Sequence, residues 1–391
     1  MAPDMTQHVV DIPRGPLGIV GMAGCTDFAQ KVDAYIAGWR KDRHNDLAGE
    51  FEFTGYHRPS YLIDFDCPRF GTGEGKGSLN QSVRGDDIYI IIDCFNYSVT
   101  YDMYGMKVPM GPDEHYSDLK RVIGAIGKKA RRINVIMPML YEGRQHKRSR
   151  RESLDCSMML QELYNLGVDN FITFDAHDPR VNNAVPMLSF ENFYPTYQFL
   201  KAMFKAEPDL DVSKEKLMII SPDEGAMNRC VYYSSVLNVD MGVFYKRRDY
   251  SRVVNGRNPI VAHDFLGDSV EGRDLIVVDD MIATGESTLD IAYRLKKRGA
   301  GKIFICATFG LFSAGLDAYD QAYKEGYIDH VFTTNLIYQR PELLERPWYC
   351  SVDLTKYVAL IIDSLNHDGS LSELIEPAGR INNLLAKYRN K

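Results

Sequence analysis

The stretch Asp274-Leu-Ile-Val-Val-Asp-Asp280, continuing as Met281-Ile-Ala-Thr-Gly-Glu-Ser-Thr288, decides how this chain is read. A short β-branched run ending in two acids is the pattern of a strand buried on both faces. The small-residue, hydroxyl-rich segment after it is a turn. Leu289 to Arg298 then carries Leu289, Ala292 and Leu295 at helical spacing and closes on Lys296, Lys297 and Arg298. Basic residues in the last turn followed by Gly299 form a helix ending. Lys302-Ile-Phe-Ile-Cys-Ala-Thr308 is the next strand. Strand, turn, helix and strand make a βαβ unit, which predicts an α/β fold with a parallel sheet.

Working outward, the first half of the chain repeats this grammar. Leu17–Met22 predicts a strand followed by a helix from Thr26 to Arg40. Asp87–Asp93 predicts another strand, and Tyr116–Ala130 a helix that leads into the strand Arg132–Pro138. Asn170–Asp175 is a fourth strand. Val83-Arg-Gly-Asp-Asp before one strand echoes Val270-Glu-Gly-Arg-Asp before the other. The echo favours two related α/β halves over one large sheet. A length of 391 residues, at roughly 150 per domain, also fits two. The expected boundary lies near Glu191–Phe204, giving domains 1–190 and 191–391, with the final helix and tail packing back on the first.

Composition narrows the function classes. Apolar residues at 45% and charged residues at 25% describe an ordinary globular protein rather than a disordered or fibrous one. Apolar runs such as Ile88–Ile92 fall far short of the ~20 residues of a membrane span. Met1 to Gly18 carries Asp4, Asp11, Pro13 and Pro16 and no apolar signal core, so a cytoplasmic protein without a membrane partner is expected. Seven scattered cysteines, an odd number, make neither a disulfide framework nor a zinc site. A formal net charge of −7 argues against bulk nucleic-acid binding. Anionic substrates would therefore need local positive clusters.

The decisive stretch also carries chemistry. A buried strand that ends at a helix start gathers backbone N–H groups where the helix dipole is positive, which suits a phosphate. Thr284, Ser287 and Thr288 add hydroxyl donors, and Gly285 permits close backbone approach. Asp279 and Asp280 cannot bind phosphate. Their natural partners are the vicinal hydroxyls of a sugar, as acids at strand ends bind ribose diols in dinucleotide folds. Donors for a phosphate beside acceptors for a diol describe ribose 5-phosphate. An ordinary βα turn with N-cap residues would carry some of these side chains, but the order Asp-Asp-x-x-x-Thr-Gly-x-Ser-Thr is demanding.

This segment resembles the phosphoribosyl-diphosphate loop shared by type I phosphoribosyltransferases and ribose-phosphate diphosphokinases (phosphoribosyl pyrophosphate synthetases). Other segments favour the second family. Tyr141-Glu-Gly-Arg-Gln-His-Lys-Arg-Ser-Arg-Arg151 is the most basic stretch and could be a solvated run or a nucleic-acid patch. It is similar to the diphosphokinase signature Tyr-x-x-Arg-Gln-Asp-Lys, which implies that Arg144, Gln145 and Lys147 meet the nucleotide. Phe174-Asp-Ala-His-Asp178 could hold a structural histidine. It resembles the family's Asp-Leu-His-Ala, whose His helps hold the magnesium nucleotide, so His177 is a candidate ligand. Ile219-Ile-Ser-Pro-Asp-Glu-Gly-Ala226 is similar to Ser-Pro-Asp-x-Gly-Gly. It offers Asp223 as a ligand for Mg2+, which keeps most of its waters, and a helix N-cap role can coexist. Val243-Phe-Tyr-Lys-Arg-Arg248 resembles the family's Lys-Arg-Arg. Lys246 and Arg248 would then stabilise the transferring diphosphoryl group, with Asp249–Asp268 as a closing lid. Arg69-Phe-Gly-Thr-Gly-Glu74 with Ser82-Val-Arg-Gly85 resembles Arg-Phe-Ser-Asp-Gly-Glu … Ser-Val-Arg-Gly, implying that Phe70 and Glu74 contact adenine from a neighbouring subunit.

The likeness runs from about Leu17 to Ile375. Departures are Thr72, His146 and Ala283 where the family has Asp, Ala226 for a Gly, about forty residues inserted before Arg69, and a tail after Glu376. Gly75–Gln81 also lacks the alternation of the family's hairpin there. The resemblance implies two tandem type I phosphoribosyltransferase-like domains, ATP and ribose 5-phosphate as substrates, and a homo-oligomer of dimers joined into a hexamer. Two other functions fit parts of the sequence. A type I phosphoribosyltransferase would use the same loop but leave the Arg-Gln and Lys-Arg-Arg segments idle. A non-catalytic regulatory paralogue would have no physical reason to keep Lys246, Arg248 and His177.

Overall fold

The computed structural model describes residues 12–46, 54–149, 151–248 and 260–389. The chain divides into two compact units, and neither is one run of sequence. Unit 1 comprises residues up to Thr173, Asp178–Phe193 and Thr355–Glu376; unit 2 comprises Phe174–His177, Tyr194–Leu354 and Pro377 onward. The tail expected to return to the first half is thus split between the two units. Helix Thr355–Asn366 docks in unit 1 because Arg40, itself buried, bonds its Asp363 at 3.1 Å and its Asn366 at 2.7 Å. Helix Ala378–Arg389 docks in unit 2, where Tyr388 stacks on Phe204 and its hydroxyl donates to the carbonyl of Glu207 at 2.9 Å.

Unit 1 is built on a five-stranded sheet of β1 (Leu17–Gly21), β2 (Asp87–Ile91), β3 (Arg132–Ile136), β4 (Asn170–Phe174) and β5 (Ser189–Phe193), adjacent in chain order. The first three pairings are parallel. Every residue of β2 and β4 is buried, including the polar Asp87, Asn170 and Thr173, as strands covered on both faces of a parallel sheet should be. Helices α1 (Thr26–Asp46), α2 (Pro112–Ile126) and α3 (Asp155–Asn165) belong to this unit. α2 begins four residues before the expected Tyr116. Pro112 sits at its first turn, and the Glu114 carboxylate accepts from the Gly111 N–H at 2.8 Å, a capping interaction. In place of a long hairpin at Gly75–Gln81, residues Phe65–Asp66 and Ser78–Leu79 form a two-residue ladder.

Unit 2 carries a seven-stranded sheet. Its strands are β6 (Leu217–Ser221), β7 (Asp240–Arg248), β8 (Ile260–Leu266), β9 (Asp274–Ile282), β10 (Ile303–Gly310), β11 (His330–Thr334) and β12 (Tyr349–Val352). Their order across the sheet is β8-β7-β6-β9-β10-β11-β12. All pairings are parallel except β7 with β8. Helices α4 (Thr196–Ala206), α5 (Met227–Leu237), α6 (Glu286–Lys297) and α7 (Asp317–Lys324) complete it. The expected lid over Asp249–Asp268 is corrected in its second half: Ile260–Leu266 is strand β8, held by backbone pairing to β7. Residues 249–259 lie outside the described residues, as do 1–11 and part of the insertion, 47–53.

The sequence echo has a physical counterpart. In unit 1 the Asp86 N–H donates to Val83 and the Gly85 N–H to Lys129, at 3.2 and 2.9 Å. In unit 2 the Arg273 N–H donates to Val270 and the Gly272 N–H to Gly299, at 3.1 and 2.8 Å. Gly85 and Gly272 both have positive φ, 81° and 68°, which glycine adopts without steric cost. One turn design thus introduces a buried strand in each half.

Candidate active site

Sheet order locates the site in unit 2. β6 has β7 on one side and β9 on the other, so the strand order reverses between β6 and β9. Crevices at the carboxyl ends of strands beside such a reversal are where open α/β sheets bind ligands. β6 ends at Ser221 and leads into Asp223; Asp279 and Asp280 lie near the end of β9.

Asp280 is 4% exposed, and its Oδ2 lies 2.7 Å from His177 Nδ1. Burial would raise this carboxyl. The His177 hydrogen bond and the charge of Arg229 outweigh it and hold it down to about 2. Asp279 goes the opposite way: desolvation and the like charge of Asp280 push it well above the usual carboxylate range. Two adjacent acids thus have split affinities for protons. Asp279 Oδ1 also accepts from the Asp280 N–H at 2.8 Å, which fixes its direction.

The cation behind this arrangement was not among the sequence candidates. Arg229, on α5 with a side chain 10% exposed, places Nε and Nη2 at 3.0 and 2.8 Å from Asp175 Oδ1. Thr308 donates to the other Asp175 oxygen at 2.6 Å. Asp175 has φ of 42°, unusual for a residue with a side chain, and it sits two residues before His177. Arg229 therefore anchors the turn that carries His177 and faces the charge of Asp279 and Asp280. A lone Arg inside a helix gave no sequence signal. Asp175 stood within a quoted motif, but its partner is 54 residues away.

The turn after β9 is held at its base by β10: Leu311 N–H donates to Ile282 and Ser313 N–H to Ala283, both at 2.9 Å. Gly285 caps α6 with φ of 91°. Of the three hydroxyls expected to hold phosphate, Thr284 and Ser287 are exposed and Thr288 is buried. Asp223 lies in the turn after β6, where its Oδ1 accepts the N–H groups of Gly225 and Ala226 at 2.9 and 3.2 Å. The carboxylate is thereby aimed, and the N-terminal turn of α5 is satisfied with it.

Lys246 and Arg248 lie on β7, next to β6, and their backbones pair with His263 and Ile260 across an irregular register at Arg247–Arg248.

The nucleotide candidates belong to unit 1. Arg144 and Lys147 are exposed after β3, while Gln145 Nε2 donates to the Ser153 carbonyl at 2.9 Å. His146, the departure from the family's Asp, has its Nδ1 2.9 Å from Asp178 Oδ2. The acid missing at 146 is thus present at 178, where the family segment has Ala. Phe70 and Glu74 form an exposed loop closed by Phe70 N–H to Glu74 O at 2.8 Å, with Thr72 bonded to the Glu74 carboxylate at 2.8 Å. Arg69 pins this loop to α2 through two 2.7 Å bonds to Asp118. Phe70 is left 56% exposed.

Among the described residues, no three His, Cys, Asp or Glu side chains are grouped as a metal cage. Two features nonetheless fit a divalent ion. His177 is oriented through one ring nitrogen by a carboxylate, the arrangement that prepares the other nitrogen for a metal. Magnesium, moreover, is held by one or two carboxylates plus substrate phosphates rather than by a protein cage. No described helix is long and apolar enough to cross a membrane.

Comparison with known proteins matches this geometry along the chain. Residues 17–167 match the family model described as the N-terminal domain of ribose phosphate pyrophosphokinase, and residues 218–376 match the phosphoribosyl synthetase-associated domain. A ribose-phosphate pyrophosphokinase of Vibrio parahaemolyticus is 28% identical over 319 residues, which is 80% of this chain and 91% of the relative. One of Pasteurella multocida matches to the same extent. The crystal structure of phosphoribosylpyrophosphate synthetase from Mycobacterium smegmatis shares the fold, with a TM-score of 0.68 and 19% identity over 90% of this chain and 99% of that one. Two α/β units with the β6–β9 reversal at the acid-tipped strand, and matches that span both, lead to one conclusion: this chain belongs to the ribose-phosphate pyrophosphokinase family.

Proposed function

We propose that the protein transfers the diphosphoryl group of Mg2+-ATP to the anomeric hydroxyl of ribose 5-phosphate, giving phosphoribosyl diphosphate and AMP. The observation that carries this reading is the β9 turn. Acids at the strand end, a glycine-capped helix start and hydroxyls at 284, 287 and 288 together suit a sugar phosphate. Asp279 and Asp280 accept from the ribose hydroxyls. Thr284, Gly285, Ser287 and Thr288 hold its phosphate at the start of α6, where backbone N–H groups and the helix dipole favour an anion.

Arg144, Gln145 and Lys147 orient the nucleotide, and Phe70 and Glu74 clasp adenine. The exposure of Phe70 fits a pocket completed by a neighbouring subunit, in a dimer-based homo-oligomer. His177 and Asp223 would hold the magnesium ion, which supplies charge neutralisation to the phosphates. In the transfer, the anomeric hydroxyl gives up its proton to solvent and its oxygen bonds to the β-phosphorus in line, while the bond from the β-phosphorus to the α,β-bridging oxygen breaks and AMP leaves with that oxygen. Positioning and charge stabilisation supply most of such a rate enhancement. Lys246 and Arg248 take that role, as cations on a strand beside the switch point. A cytoplasmic setting fits the reaction and the described cysteines, all of which are free.

The test is release of AMP from ATP with ribose 5-phosphate and no nucleobase. AMP formation dependent on the sugar phosphate is the expected result. Dependence on a nucleobase, or no AMP at all, would overturn the reading.

A further inference from the structure

Behind the phosphate turn lies a polar group that neither the fold nor the reaction described above uses. Tyr319, on α7, is 1% exposed, and among the described residues its hydroxyl has no hydrogen-bond partner. A buried hydroxyl left unpaired is costly, and each such case calls for an explanation. The ring is held firmly. It meets Phe312 edge-on at 5.1 Å and stacks on Trp348 at 5.3 Å between centroids. Trp348 is itself tied to α7 by its Nε1 donating to Asp320 at 2.7 Å.

The hydroxyl end faces the turn. A Cβ placed on Gly285 would lie 2.8 Å from the Tyr319 oxygen, so a side chain at 285 would collide with the phenol. Thr288, 5% exposed, is the turn's buried hydroxyl; it neighbours the Tyr319 phenol closely enough to act on it as a hydrogen-bonding group, short of a well-formed bond. Burial pushes the phenol up, with Thr288 partly opposing, so the group is a proton donor at neutral pH. A threonine hydroxyl has one hydrogen and two acceptor sites. Its hydrogen can be aimed outward if something else donates to its oxygen.

We propose that Tyr319 is a positioning residue of the phosphate subsite. When a phosphate monoester draws in the 284–288 turn, the Tyr319 hydroxyl donates to the Thr288 oxygen and directs the Thr288 hydrogen onto the phosphate. The inference rests on the ribose-phosphate reading of this turn and adds a residue to it. Hydrogen bonds linked in series in a low-dielectric site strengthen one another. The phenol lies near the turn before ligand arrives, so little ordering cost falls on binding.

The test compares Tyr319→Phe, Thr288→Ala and the double variant in the full chain. For Tyr319→Phe we expect the KM for ribose 5-phosphate to rise about 3- to 10-fold, with kcat and the KM for ATP unchanged. Thermal stability without ligand should stay nearly level, since the lost hydroxyl makes no well-formed hydrogen bond in the free protein. In the Thr288→Ala background the change should have no further effect. An unchanged ribose 5-phosphate KM would overturn the proposal. So would an effect of Tyr319→Phe that persists in full without the Thr288 hydroxyl. Inorganic phosphate, titrated by calorimetry, keeps the two readings apart. Should the wild-type chain fail to make AMP from ribose 5-phosphate, the functional reading falls, while weaker phosphate binding by Tyr319→Phe would still support the relay. Equal phosphate binding by both chains would sink it.

Discussion

His177 Nδ1 lies 2.7 Å from Asp280 Oδ2, which joins the residue proposed to hold the metal to the one proposed to accept from the ribose, across 103 residues of chain. The two ends of the substrate pair are therefore not independent. Asp280→Ala should lose ribose 5-phosphate affinity by about 1–3 kcal/mol, as for a buried bond to a charged group. It should also weaken metal affinity and so raise the magnesium requirement, because an outer partner that orients a ligating His typically contributes ~10- to 100-fold in metal affinity. His177→Ala should show the second loss with little of the first. Magnesium and ribose 5-phosphate titrations of both variants check this, and Asp280→Ala with normal magnesium dependence would break the link.

Lys246→Ala tests the charge proposed to act as the bridging oxygen leaves. An interaction made mainly in the transition state lowers kcat and kcat/KM together and leaves ground-state binding nearly intact. The expected variant binds ATP and ribose 5-phosphate but releases AMP at least ~100-fold more slowly, by analogy with a lost oxyanion-hole donor. Arg248→Ala should behave alike. Near-normal turnover in Lys246→Ala would withdraw the assignment.

Arg229 is buried beside three carboxylates, Asp175, Asp279 and Asp280, and bonds the first directly. Arg229→Met leaves those charges uncompensated, and removing one partner of a buried pair costs about 3–5 kcal/mol. Urea unfolding should show that loss. Arg229→Met combined with Asp175→Asn should recover part of it, since the pair is then removed together. A single variant as stable as wild type would mean that the cluster carries no strong net field.

Asp363 gives a pH signature in unit 1. Burial would raise it, but the Arg43 hydrogen bond and the charges of Arg40 and Arg43 hold it below the usual carboxylate range. A carboxyl depressed in the folded state stabilises the protein at pH above its unfolded value of about 3.9 and loses that contribution as pH falls through the folded value. Asp363→Asn should be less stable than wild type at pH 7 by about 3–5 kcal/mol. The gap should narrow below about pH 4 and close as the carboxyl protonates. Denaturant midpoints across pH 2–8 would read it, and a pH-independent gap would contradict the account.

Much of the fold was legible because its signals act over a few residues. The run Asp274–Asp280 lies within β9, and the helix expected over Leu289–Arg298 is α6, which starts three residues earlier at Glu286 and ends at Lys297, beside the basic residues and Gly299. Val83–Asp86 and Val270–Arg273 make like turns because each supplies a glycine where φ must be positive. The lid was misread over Ile260–Leu266. The Arg and Asn that suggested a loop all lie before it, in 249–259, whereas Ile260-Val-Ala-His-Asp-Phe-Leu266 is itself largely apolar and β-branched and pairs with β7.

The sequence by itself determined which segments become buried strands, where their acids stand and which turn gathers hydroxyls at a helix start, since periodicity, caps and glycine conformations are local. Only the tertiary structure decided that β6 lies between β7 and β9, and therefore that Asp280 meets His177 and Arg229 meets Asp175. It also buried Thr288 over Tyr319 while leaving Thr284 and Ser287 exposed, a distinction invisible among three neighbouring hydroxyls. These pairings depend on strand order and on which face a helix buries. Both are settled by long-range packing of apolar surface and the mutual satisfaction of buried charges, neither of which leaves a mark at any fixed spacing in the chain.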